Sequence, residues 1–163
     1  MKRNVYFTLV LIGLLCGAGL FFTIGAQSAS SEKNAFTPDA IPYGPAPAFV
    51  PPGAQLAVLE GNPSATSGDY TIRLKMPDGY RIAPHWHPQR ENVTVISGTL
   101  KFGMGDRFEE SKMADFPAGS FAYLDPDMHH YVMAGGDVVV QVHGMSPLQF
   151  NYINPNDDPS HKK

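Results

Sequence analysis

The stretch Gly79–Gly98, GYRIAPHWHPQRENVTVISG, decides how the chain is read. It places His85 and His87 two residues apart and Glu91 four residues further on, with a glycine at each end. Side chains two apart on a β-strand emerge from the same face, so both imidazoles can enter one pocket. Glu91 follows a short Pro88-Gln89-Arg90 connection and can return to the same place as a third ligand. Two imidazoles and a carboxylate on a sheet suit a divalent first-row metal with coordination positions left open.

Working outward, the segments on either side carry strand signals. Gln55–Glu60 ends at the turn Gly61-Asn62-Pro63, and Tyr70–Met76 alternates apolar with polar residues up to Pro77-Asp78-Gly79. Arg81–His87, Asn92–Ile96, Thr99–Phe102, Ser120–Leu124, Tyr131–Met133, Val138–His143 and Leu148–Ile153 read as further strands, bounded by Gly, Pro, Ser or Asp. Ser97-Gly98 reads as a turn between two of them. No sustained 3.6-residue period appears after the first 30 residues. Many short strands at regular turn spacing predict an all-β sandwich or barrel.

The first residues stand apart. Lys2 and Arg3 precede an apolar run from Val5 to Ile24 and then small residues, Gly25-Ala26-Gln27-Ser28-Ala29-Ser30. This is the pattern of a secretory signal; its length also suits an uncleaved anchor helix. The expected division is a signal or anchor over 1–29, a Pro/Ser-rich linker and arm over 30–52, a barrel over 53–155 and a polar tail, expected to fray, over 156–163. Ala46–Val50 in the arm is expected to form an edge strand or to lie on the barrel or on a partner subunit. An exported protein, periplasmic or secreted, is the expectation, with membrane anchoring through the N-terminal helix as the alternative.

Cys16, the one cysteine of the 163 residues, lies inside the apolar run and is preceded by Leu15, unlike a lipoprotein signal. Residues 30–163 therefore have neither disulfide nor thiolate chemistry. With Lys2 and Arg3 set aside, 10 basic residues face 15 acidic ones, a formal charge of −5. With no basic cluster, nucleic acid and anionic membrane surfaces are poor partners.

Gly79-x5-His85-x-His87-x3-Glu91-x6-Gly98 resembles the first motif of the cupins, with every fixed residue present. Gly119-x5-Asp125-x-Asp127-x2-His130-x3-Ala134 is similar to the second motif. It keeps the glycine, the histidine and the spacing, but Asp125, Asp127 and Ala134 replace a proline, a glycine and an asparagine. The stretches Pro51–Leu56, Val140–Gly144 and Asn151–Pro155 look like those of exported single-domain cupins, a resemblance reaching from Phe36 to Pro159. It implies a double-stranded β-helix, the RmlC-like jelly roll, and a metal held by His85, His87, Glu91 and His130. Register from Gly119 selects His130 over its neighbour His129, because adjacent strand residues point to opposite faces.

The metal implied is one of Fe, Mn, Ni, Cu, Zn or Co, undistinguished by the donor set. The reading is a metal-binding cupin that takes a small molecule, with or without turnover. One alternative is a metal-dependent dioxygenase or other oxidoreductase with Glu91 as candidate base; another is a non-catalytic sensor or structural module. A homodimer is expected by analogy. His143 and Gln141 share a strand face and could orient an imidazole, although strand-end polar groups are the commoner case. Trp86 alternates away from the histidines, and Asn92-Val93-Thr94 reads as a coincidental glycosylation sequon.

Overall fold

The computed structural model describes residues 34–161. The N-terminal signal or anchor segment lies outside the described residues. Among the described residues nine strands form one curled sheet: β1 (Gly44–Pro45), β2 (Gln55–Gly61), β3 (Asp69–Met76), β4 (Arg81–Trp86), β5 (Glu91–Met104), β6 (Ala114–Pro117), β7 (Phe121–Leu124), β8 (His130–Met145) and β9 (Asn151–Tyr152). The described helices are four 3-10 turns of three residues each. None of the described helices is long and apolar enough to cross a membrane.

Two long strands organise the rest. β5 and β8 run antiparallel over their whole lengths, from Glu91↔Gly144 to Met104↔His130. On the far side of β8, β3 pairs with its second half and β4 with its first. On the far side of β5, β7 pairs with its first half and β6 with its second. The result is two half-sheets, β2-β3-β8-β5-β7 and β9-β4-β8-β5-β6, which share the long pair and face one another. This is the jelly-roll barrel implied by the cupin resemblance.

The corner between the halves is a pair of register shifts, between Val95 and Ser97 and between Ser97 and Thr99. Bulges of this kind bend a strand and sharpen its twist. Gly98 stands at the corner with φ +77, where a Cβ would meet the Asp137 carbonyl oxygen of β8 at 2.3 Å. Ser97-Gly98 is thus a bend inside one strand and not the turn expected between two. For the same reason Tyr131–Met133 and Val138–His143 are two parts of β8. Two further expectations need correction. Leu148–Ile153 is strand only at Asn151–Tyr152, and Ala114–Pro117 is a strand that the sequence reading passed over.

Alternation explains the core. Ile72, Leu74 and Met76 of β3, Val138, Val140 and Val142 of β8 and Val93 and Val95 of β5 point inward from one half; Ile82, Val132 and Leu100 point inward from the other. His130–Ala134 is buried on both faces, and Tyr131 packs beneath the excursion between β5 and β6. There the Tyr131 hydroxyl donates to the Glu109 carbonyl at 3.2 Å, and its ring packs on Phe108. The arm residues lie on their own barrel: Val50 is buried, Ala46 and Phe49 pack against the core, and the Tyr152 hydroxyl donates to the Phe49 carbonyl at 2.8 Å. Within the tail, Pro155–Asp157 and Pro159–His161 form 3-10 turns.

Candidate metal centre

The sheet brings the histidines together through ordinary pairing. His85 and His87 flank Trp86 at the end of β4, and His85 pairs directly with His130 at the start of β8. Their rings lie 4.2 Å apart between centroids, and His87 is 5.0 Å from His85 and 5.3 Å from His130. Candidate ligand nitrogens of all three lie within 4.8 Å of one another. Glu91, at the start of β5, approaches from the side: its two oxygens lie 3.6 Å from His87 Nε2 and 3.6 Å from His130 Nε2. All four side chains are buried.

Backbone carbonyls fix the tautomers. His85 Nδ1 lies 2.8 Å from the Ala83 oxygen, His87 Nδ1 2.7 Å from the Gln149 oxygen and His130 Nδ1 3.0 Å from the Met128 oxygen. A carbonyl only accepts, so each ring donates its Nδ1–H and leaves a lone pair on Nε2. The His87 Nε2 is buried without a hydrogen-bond partner among the described residues. An orphaned buried acceptor costs about 1–3 kcal/mol, which a metal ion placed there removes. The residues present therefore fit a divalent cation: three imidazole lone pairs and one carboxylate, with the outer nitrogens already tied down.

Two aromatic rings hold the imidazoles in place. Phe150 stacks on His85 at 4.6 Å and meets His87 edge-on at 4.7 Å, while Phe102 stacks on His130 at 5.5 Å. Sequence reasoning missed Phe150 and the Gln149 carbonyl, because neither belongs to a motif and their segment was read as a strand. Beside the centre lies an apolar cavity of about 50 Å3. Glu91 is the one carboxylate on its wall, and no lysine or arginine of the described residues lines it.

The other candidates fall outside. His129 is half-buried and faces Asp106, with Nδ1 2.6 Å from Oδ1. His143 is exposed, and Gln141 accepts from Arg73 at 3.2 Å on the outer face. Trp86 is half-buried between the buried His85 and His87, and Asn92, near the start of β5, donates to the His143 carbonyl at 3.1 Å. Two of the three replaced positions of the second motif, Asp127 and Asp125, have physical reasons. Asp127 adopts φ +64, a left-handed conformation that glycine takes freely and aspartate tolerates, and its N–H donates to the His87 carbonyl at 3.0 Å. Asp125 accepts from Arg90 Nε at 2.9 Å and Nη2 at 2.5 Å, tying the two motif loops together.

Burial pushes the His85 imidazolium well below its ordinary range, with the neighbouring His130 and His87 adding to the effect. Burial also lowers His130, opposed by the Glu91 charge. Both folded values lie below the unfolded value of about 6.5, so the unfolded chain binds more protons once the pH drops under that mark. Stability present above pH ~6.5 is then lost as the pH falls toward the folded values. The metal-free protein is expected to lose unfolding free energy, read from urea titrations, as the pH falls from 7 to 5, by no more than about 1.4 kcal/mol per histidine per pH unit. A flat profile over that range contradicts neutral, buried imidazoles.

Residues 31–148 match the ChrR cupin-like domain. No curated protein matches the chain. Among solved structures, the polyketide cyclase RemF from Streptomyces resistomycificus aligns with TM-score 0.63 and 11% identity, over 77% of this chain and 89% of that one. An RmlC-like cupin from Shewanella frigidimarina aligns with TM-score 0.54 and 14% identity, over 71% and 91%. KdgF from Halomonas sp. aligns with TM-score 0.50 and 17% identity, over 67% and 92%. At such identities these likenesses establish the fold, and chemistry has to be argued from the site. The family match spans more than half of the sequence and contains both histidine motifs on their jelly-roll strands; the chain belongs to the ChrR cupin-like domain family.

Proposed function

We propose that the barrel holds one divalent first-row metal through Nε2 of His85, His87 and His130 and the carboxylate of Glu91, and that a small molecule binds at the positions left open. The observation that carries this reading is the convergence of three buried imidazoles whose outer nitrogens are already bonded, with His87 Nε2 left partnerless. A metal bound there supplies a positive charge that polarises an oxygen or nitrogen donor of the ligand. Phe150 and Phe102 keep the imidazoles oriented, and the apolar wall excludes bulk water.

The cavity limits the ligand. Its volume of about 50 Å3 corresponds to a few water-sized spheres, so a ligand of few heavy atoms enters without rearrangement. Among the described residues Glu91 is the one carboxylate at that wall able to move a proton, which makes binding the primary reading and turnover, oxidative or otherwise, a property of Glu91 and the metal. Export and the division into signal or anchor, arm, barrel and tail belong to the same proposal, as does a homodimer, to be tested by gel filtration. The functional test loads the purified domain in turn with Fe(II), Mn(II), Ni(II), Cu(II), Zn(II) and Co(II). A rise in thermal midpoint with one of them, increased again by a small metal-binding anion such as azide, is expected. An unchanged midpoint with every metal contradicts the proposal.

A further inference from the structure

Four tyrosines pack into the core, and three of their hydroxyls have an assigned use. Tyr80, Tyr131 and Tyr152 donate to the carbonyls of Pro51, Glu109 and Phe49. Tyr70, only 3% exposed, makes no hydrogen bond through its hydroxyl among the described residues. Glu91 has the complementary deficiency. Its oxygens have the two Nε2 atoms at 3.6 Å, yet its carboxylate accepts no hydrogen bond among the described residues.

Register puts these two groups in one row. Tyr70 of β3 pairs with Gly144 of β8, and Gly144 pairs with Glu91 of β5. Cross-strand partners share a face, and both side chains point inward. Between them stand Gly144, a residue without a side chain, and the Arg90 carbonyl oxygen, 2.7 Å from where a Gly144 Cβ would lie. A Cβ on Gly144 would lie 3.3 Å from the Tyr70 hydroxyl oxygen and 3.6 Å from Cζ, so the phenol passes over the β8 backbone toward β5. Two ladder steps of about 4.8 Å separate Tyr70 from Glu91 at the backbone, and the phenol spans most of that distance.

We propose that Tyr70 is a positioning residue for Glu91, its hydroxyl donating to the carboxylate directly or across one water and fixing how Glu91 approaches the metal. The assignment rests on the metal reading above. Carboxylates that ligate metals are themselves hydrogen-bonded, and removing such a partner typically costs about 10- to 100-fold in metal affinity. Gly144 is what lets a residue two strands away act on Glu91.

The test is a double-mutant cycle on zinc affinity, read by competition with a chromogenic chelator, with thermal midpoints recorded in parallel. Tyr70→Phe keeps the ring and is expected to lower zinc affinity about 10- to 100-fold. In a Glu91→Ala background the same change is expected to alter affinity less than about twofold, because the group it serves is gone. Tyr70→Met, which deletes the hydroxyl in a flexible side chain, should show the same dependence on Glu91. Equal losses in both backgrounds, or none in either, overturn the assignment while leaving the metal site standing. Failure of the unsubstituted protein to take up zinc overturns the metal reading and this assignment with it.

Discussion

Gly98→Ala is expected to destabilise the barrel by about 3 kcal/mol or more, the largest effect of any single methyl addition at the corner. The new Cβ lies 2.3 Å from the Asp137 carbonyl oxygen and 3.1 Å from its carbon, both backbone atoms of the strand that β5 pairs with. Neither can swing away as a side-chain tip would. The φ of +77 adds strain that a Cβ does not relieve. Because β5 and β8 are shared by both half-sheets, yielding at this point separates the strand that begins with Glu91 from the one that begins with His130. Urea unfolding measures the cost directly. A variant within about 1 kcal/mol of the unsubstituted protein contradicts the corner as the element that closes the barrel.

The second large effect concerns neighbouring histidines. Structural zinc sites with four ligands carry roughly 10–16 kcal/mol, or about 2.5–4 kcal/mol per ligand. Removal of one ligand should thus weaken binding by about two to three orders of magnitude. His130→Ala is expected to show that loss. His129→Ala is expected to leave metal affinity unchanged, because that ring is turned to Asp106 and away from the centre. Titration of both variants with a spectroscopic metal such as Co(II) reads the contrast. Equal affinities would mean that the spacing from Gly119 selected the wrong histidine.

The parts of this protein that were legible in the sequence are those that depend on local period. Tyr70–Met76 alternates, and the structure places Tyr70, Ile72, Leu74 and Met76 on the inner face, with Val138, Val140 and Val142 of β8 beside them. His85 on β4 and His87 just past its end, two residues apart, face one pocket for the same reason, and His130 joins them by direct pairing with His85. What was not legible depends on partners distant in the chain. Ser97-Gly98 has the composition of a turn, and only its pairing with Val139 and Asp137 of β8 makes it a bend within a strand. Phe150 acts through stacking and Gln149 through a backbone oxygen, neither of which leaves a spacing pattern. Asp127 departs from the motif because aspartate can take the backbone conformation of the glycine it replaces. The row Tyr70–Gly144–Glu91 exists only once the registers of three strands are known.

The central claim is that the imidazoles of β4 and β8 with Glu91 form one metal centre. The most direct measurement is bound metal per chain, by elemental analysis after loading and desalting, for the unsubstituted protein and for His85→Ala combined with His87→Ala. One equivalent in the former and none in the latter, with both proteins folded by circular dichroism, is the predicted result. Equal metal content in the two proteins, or none in either, contradicts it.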